Sequence, residues 1–303
     1  MAGLLDVDWR LILFICAGIG ATVLIAHQFE KTWPAEPNQS RSEVIADFKL
    51  VFVASVMGWI TKPVVAMSSV ALVNAAGGGL LVLHADTVWD FAFSLAVFLV
   101  ATDLYSYWSH RLSHAVPALW AMHSLHHSAE ALTFITGARH LWLETAIMSA
   151  FFPVIAVLFK TPPVIVMTVL FLGFLPNGCA HLNVRLHLGR FSTWINGPQW
   201  HRIHHSIQPE HLNRNYAAIF PIWDILFGTA WIPAEHEFPP SGLVPSERPG
   251  IVDGIIWPVR TWRWVDWSRR MIAPARSGSG AAIPQREHDS MGNAALAPPT
   301  AGQ

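Results

Sequence analysis

Long apolar runs alternate with short polar segments through the first 180 residues, and the later polar segments are crowded with histidine. Trp9–Ala26 carries one charge, Arg10, at its edge; about 20 apolar residues suffice to cross a bilayer as a helix. Leu50–Ile60 and Val64–Leu83 are parted by Thr61-Lys62-Pro63, a break that leaves open a kink, a re-entrant segment or a span boundary. Val88–Trp108 is interrupted only by Asp90 and Asp103. Leu143–Phe159 and Pro162–Ala180, separated by Lys160 and Thr161, predict a tight helical hairpin through the membrane. From about Ala273 the chain turns to Ala, Pro, Gly and Ser without apolar period, which predicts a disordered tail. The pattern therefore divides into a transmembrane region (1–88), a histidine-bearing catalytic region (89–272) and a tail (273–303).

Composition sharpens this picture. Charged residues make up 13% of the 303 positions and hydrophobic ones 52%, against about 25% charged in an ordinary soluble domain. Mean hydropathy is +0.38. A soluble enzyme, a disordered chain and a fibrous repeat are excluded. The net charge of −1 offers no basic footprint for nucleic acid. Cys16 and Cys179 lie in apolar runs and form neither a CxxC nor a disulfide framework. Met1–Asp8 has two acidic residues and no basic one, so no cleaved signal peptide is expected. The AAGGGL stretch at Ala75–Leu80 lacks nucleotide-loop spacing and reads as a softened helix end. Basic residues concentrate after His181 and at Arg111 and Arg139, which by the positive-inside rule puts both polar segments on the cytoplasmic face. The expected architecture is all-α: an integral-membrane bundle of about 4–5 spans with a cytoplasmic, histidine-rich helical cap.

The sixteen histidines are not scattered. His110 and His114 stand four apart in DLYSYWSHRLSH; His123, His126 and His127 form HSLHH; His201, His204 and His205 form HRIHH. Positions three and four apart share a helix face, so each cluster aims two or three imidazoles at one point. Roughly 0.05 occurrences of HxxHH are expected by chance in such a chain, and there are two. Eight imidazoles exceed the four that one zinc takes and imply two ions. Imidazole suits iron, zinc and copper alike, so residue types leave the metal open. Glu-x-x-His and HExxH are both absent, since His236-Glu237 runs into Phe-Pro-Pro.

Five segments in order, DxxxYWxHRxxH from Asp103, HSxHHS from His123, His181 in AHLNVRL, PxWHRIHHS from Pro198 and NYAAIFPIWDILFGT from Asn215, resemble the fatty acid hydroxylase/sterol desaturase superfamily from about Phe91 to Thr229. The sequence departs from the pattern in having Ala217 after Asn215-Tyr216, and Arg185 where some members carry another histidine. The resemblance implies an integral-membrane, non-haem di-iron oxygenase that hydroxylates or desaturates lipids with dioxygen, hydroxylation being the commoner chemistry. It implies two iron ions held by His110, His114, His123, His126, His127, His201, His204 and His205, with His181, at the end of the second hairpin helix, as a ninth ligand.

Around these, Asp103, Glu130, Glu144 and Asp224 are candidate carboxylate partners for ligand imidazoles. Asp103, inside an apolar run where a charge is costly, is expected to orient a box histidine; Asp224 is expected to be structural. His140, four residues before Glu144, is expected close to the metals but unbonded, and His187, six residues beyond His181, is expected away from them. Trp108, Trp120, Trp194, Trp200, Trp257 and Trp262 read as an interfacial belt. No iron–sulfur spacing and no flavin or nicotinamide fingerprint is present, so a separate electron donor is implied: a ferredoxin, a b-type cytochrome or a reductase, docking on the cytoplasmic face. The substrate classes left open are fatty acyl, sterol, carotenoid, sphingolipid and ether or amino-acid lipids. A desaturase with the same site, a zinc-dependent membrane hydrolase and a metal transporter are the competing readings.

Overall fold

In the computed structural model, which describes residues 9–150, 155 and 158–243, two long helices lead the chain: α1 (Trp9–Thr32) and α2 (Arg41–Ala75). The tail, Trp257 and Trp262 lie outside the described residues. The Thr61-Lys62-Pro63 break does not end a helix, because α2 runs through it for 35 residues. Proline removes a single backbone donor, and the apolar helix on either side carries the pattern across.

Helix α3 (Val88–Ala115) starts on a capping box in which Thr87 Oγ1 accepts from the Asp90 N–H and the Asp90 carboxylate accepts from the Thr87 N–H. The first charge interrupting the apolar run is thus a helix-start device. At about 1.5 Å per residue, the 28 residues of α3 reach about 42 Å. Among the described residues α3 is the one helix long and apolar enough to cross a membrane. Its apolar side chains Val88, Trp89 and Phe93 are exposed rather than packed in a core, as those of a helix bathed in lipid would be. The other expected spans do not meet the same measure of length and apolarity among the described residues.

A single residue, Val116, separates α3 from α4 (Pro117–His127), whose first position is a proline preset for a helix start. Helix α5 (Trp142–Ala150) follows and packs on α2 and α4. Helix α6 (Pro163–Ala180) packs on α3 and ends at His181. Two short strands, β1 (Leu81–Val82) and β2 (Phe159–Lys160), pair in parallel, a small departure from the all-helical expectation. This pairing joins the loop before α3 to the turn before α6. Both helices therefore set out from one end and deliver His110, His114 and His181 to the other. Leu83, Phe98, Ile155, Ile165 and Val169 form the core between them, and Leu50, Met122, Leu125 and Leu141 form a second core under α4.

Beyond His181 the chain makes short elements: a 3₁₀ turn at Gly189–Thr193, α7 (Pro198–His204) and α8 (Ile222–Leu226). The segment after α1 clamps this region. Asn183 exchanges hydrogen bonds with the backbone of Ala35 and Glu36, and the buried guanidinium of Arg202 lies 2.7 Å from the Glu36 carboxylate. Contacts thus cross residue 88 freely.

Candidate metal centre

The nine histidines collect into two groups whose nitrogens lie within 4.8 Å of one another: His110, His114, His123, His127 and His204 in one, His126, His181, His201 and His205 in the other. All are buried except His110, which is half-buried. Each HxxHH box is split. The i, i+4 pair His123 and His127 on α4 serves the first group while His126 turns to the second. On α7, His201 and its i+4 partner His205 serve the second while His204 turns to the first. The expectation that each box aims at one point thus holds only for its i, i+4 pair. A residue one position away from that pair lies about 100° around the helix and reaches the neighbouring group.

Hydrogen bonds fix the rings. His110 Nδ1–H donates to the Tyr216 carbonyl at 2.8 Å, His204 Nδ1–H to the Arg214 carbonyl at 2.8 Å and His181 Nδ1–H to the Asn177 carbonyl at 2.7 Å. His123 Nδ1–H donates to Glu144 Oε1 at 2.7 Å. A neutral imidazole that donates through Nδ1 carries a bare lone pair on Nε2. Nε2 of His110 nevertheless faces Nε2 of His123 at 3.1 Å. Nε2 of His181 stands 3.2 Å from that of His126 and 3.0 Å from that of His201, and His204 faces His127 at 3.1 Å. Between His110 and His123 both facing atoms are bare, and such lone pairs repel unless a cation lies between them; imidazoles on one ion at about 2.0–2.1 Å would be spaced at about the separations seen in all these pairs. His114 is buried with neither ring nitrogen hydrogen-bonded. The donor set fits divalent metal ions.

Burial also disfavours the charged form of rings such as His110 and His114, and metal ligation requires neutral ones. Desolvation pushes His181 down to about 4 and His204 to about 3. Desolvation, reinforced by neighbouring imidazoles, pushes His126, His127, His201 and His205 well below the ordinary value. His140 behaves oppositely. Burial alone would lower it, but the Glu144 carboxylate 3.3 Å away raises it. Its ring stacks on His126 with centroids 4.3 Å apart, and it belongs to neither the five-histidine nor the four-histidine group. Gly137 makes room for the His181 ring and Asn177, since a Cβ there would stand 3.0 Å from His181 Nδ1. A cavity of about 280 Å³ opens over the rings, lined by His110, His123, His126, His181 and His201 together with Glu144.

Residues 95–229, the stretch that carries all nine histidines, match the fatty acid hydroxylase family model. This segment is similar to fatty acid hydroxylase domains. The chain is similar to the alkylglycerol monooxygenase of Danio rerio, 32% identical over 46% of this chain and 31% of that protein. It is also similar to the Homo sapiens alkylglycerol monooxygenase, 32% identical over 49% of this chain and 33% of that protein. To the ornithine lipid hydroxylase OlsE of Rhizobium tropici it is 29% identical over 56% of this chain and 51% of that protein. The similarity thus spans about a third to a half of the length of these relatives. No solved structure matches the chain.

Within this matched segment, several expected roles are corrected. Asp103 touches no box histidine. Its carboxylate accepts from the backbone N–H groups of Ile219 and Phe220 and from Trp223 Nε1, so it anchors the loop that presents Tyr216. Asp103 and His110 sit on one helix but seven residues apart, about 10 Å along the axis, too far for contact. Asp224 closes that same loop, accepting from the N–H groups of Tyr216 and Ala217 and from the Thr229 hydroxyl. Glu130 is exposed. His187 bonds Gln199, and its segment is not helical, so helix phase is not what separates it from His181. Trp108 and Trp194 are exposed, but Trp120 and Trp200 are buried, Trp120 against His114 with centroids 4.8 Å apart; the belt reading fails for those two. The carbonyls of Asn177, Arg214 and Tyr216 were missed, because a backbone acceptor leaves no mark in the side-chain pattern.

Proposed function

We propose that this protein is a membrane-bound di-iron monooxygenase that hydroxylates an alkyl-chain lipid. The observation that carries the reading is the pair of interleaved histidine groups whose bare Nε2 atoms face one another beneath a cavity. All of them lie within the segment similar to fatty acid hydroxylase domains. The relatives bear the names alkylglycerol monooxygenase and ornithine lipid hydroxylase, which favours a lipid substrate and oxygen insertion.

Bound iron would supply dioxygen activation and attack on an unactivated C–H bond. The chain supplies placement. His110, His114, His123, His127 and His204 would hold one ion, and His126, His181, His201 and His205 the other. The carbonyls of Tyr216, Arg214 and Asn177 and the Glu144 carboxylate hold four rings in the ligating tautomer. Trp120 and Tyr216 pack on the imidazoles and exclude water. Hydroxylation consumes one dioxygen, two electrons and two protons per alcohol and water formed. The electrons would come from a separate donor on the cytoplasmic face.

Purified protein should contain iron, and with a chemical or enzymatic reductant it should convert an alkyl lipid to a product one oxygen heavier. Replacing His123, His126, His127, His201, His204 or His205 singly by Ala should abolish turnover without preventing membrane insertion. Near-normal activity in any two of these variants would overturn the di-iron reading.

A further inference from the structure

A second, larger cavity of about 420 Å³ lies between α3 and α6, lined by Phe98, Leu99, Ile155, Val166, Val169 and Gly173. Tyr105, Ser106, Asn177 and Ala218 line both this cavity and the one over the histidines, so the two adjoin. Resting on the function proposed above, we infer that this cavity holds the alkyl chain of the substrate, and that Gly173 sets how long a chain can enter.

The polar residues of the cavity are already spent. Thr102 Oγ1 donates to the Phe98 carbonyl, Ser106 Oγ to the Thr102 carbonyl, and the Tyr105 hydroxyl to the Met148 carbonyl. Asn177 Nδ2 donates to the Gly137 carbonyl, and the Asp103 carboxylate is satisfied by three donors. A buried water needs about two to four polar partners, and this lining turns its own toward the protein. Most of what faces the space is methyl, methylene and ring carbon, which suits an unbranched hydrocarbon better than a polar head. The cavity also runs along α3, the helix long and apolar enough to cross a membrane, so a chain in it stays at bilayer depth while one carbon reaches the histidines.

Gly173 sits two helical turns before His181, about 12 Å along α6 at about 1.5 Å per residue. A Cβ there would meet nothing within 4 Å. Its missing side chain is therefore not required by packing, and its effect is to leave cavity open. A larger residue would block the site between its histidine end and the Val166–Val169 end without touching a metal-binding histidine.

The test compares octyl and hexadecyl versions of the same alkyl lipid with wild type, Gly173→Ala, Gly173→Leu and Gly173→Phe. The Leu and Phe variants should keep octyl turnover within about twofold while hexadecyl kcat/KM falls about tenfold or more, the scale on which a hydrophobic pocket discriminates chain length. Iron content should be unchanged. Equal loss for both lengths, or an unchanged ratio in Gly173→Phe, would overturn the inference. A hexadecyl lipid tipped with a diazirine gives a readout without turnover. It should label the Val166–Val169 stretch, be displaced by unlabelled lipid, and lose that labelling in Gly173→Phe. Labelling that unlabelled lipid does not displace would show only bulk membrane lipid and would overturn the inference. Displaceable labelling of wild type that hydroxylates neither lipid would leave the chain site standing and sink the monooxygenase reading instead.

Discussion

The Glu144 carboxylate accepts the Nδ1 proton of His123 at 2.7 Å, and both groups are buried. The bond holds Nε2 of His123 bare and aimed at the first histidine group. Removing such a partner commonly costs about 10–100-fold in metal affinity or activity. Glu144→Ala should therefore lose metal to a chelator more readily than wild type by about that factor. Glu144→Gln, whose amide oxygen can still accept the proton, should lie between them. Measuring metal retained against rising chelator concentration checks this. Wild-type retention in a folded Glu144→Ala protein would show that the contact is structural alone.

Asp103 should behave differently, because it holds a loop and not a ring. Hydrogen bonds to a charged group are each worth about 1.5–3 kcal/mol, and Asp103 takes three. Asp103→Ala should destabilise the detergent-solubilised protein by about 3 kcal/mol or more, read as a lower unfolding midpoint. Any loss of metal should follow from loosening of the Tyr216 carbonyl that holds His110. A variant of unchanged stability with a specific loss of metal would return Asp103 to the orienting role that the sequence suggests.

The β1–β2 pairing places the loop before α3 and the turn before α6 together, at the opposite end from the histidines. In a background free of Cys16 and Cys179, Asp86→Cys and Lys160→Cys should react with an impermeant thiol reagent from one side of the membrane. Glu210→Cys and Asn213→Cys should react only from the other. All four positions are exposed. Reaction of Lys160→Cys and Glu210→Cys from the same side would mean that α6 does not cross.

Much of the centre was legible because metal ligands at i, i+4 leave a helical signature in side-chain identity. His123 with His127 and His201 with His205 needed nothing more than spacing. How each box divides between two groups was not legible, since periodicity defines a face but not the object facing it. The role of Asp103 was hidden for another reason: its partners are backbone N–H groups far along the chain, which any residue could supply. The Glu36–Arg202 pair was equally silent, because two charges distant in sequence carry no periodicity. Of the long helices, α3 followed its apolar run closely. The break at Pro63 left open a kink, a re-entrant segment or a span boundary, and the helix runs through it.

Three histidines outside the boxes separate ligation from proximity. His181 caps α6, donates Nδ1–H to the Asn177 carbonyl and points Nε2 at His126 and His201, at 3.2 and 3.0 Å. His140 stacks on His126 and pairs with Glu144 but belongs to neither the five-histidine nor the four-histidine group. His187 spends its Nδ1 on Gln199. His181→Ala should accordingly bind about one metal fewer per chain, since a buried site that loses a ligand is left with open coordination. His140→Ala should keep both metals, with affinity reduced by no more than the about 10–100-fold of an outer contact, and His187→Ala should resemble wild type. Metal stoichiometry by mass spectrometry, measured alongside the unfolding midpoint, distinguishes the three. Full occupancy in His181→Ala together with metal loss in His187→Ala would mean that the ligand on this segment lies beyond the end of α6, and that the second group is built differently from its present geometry.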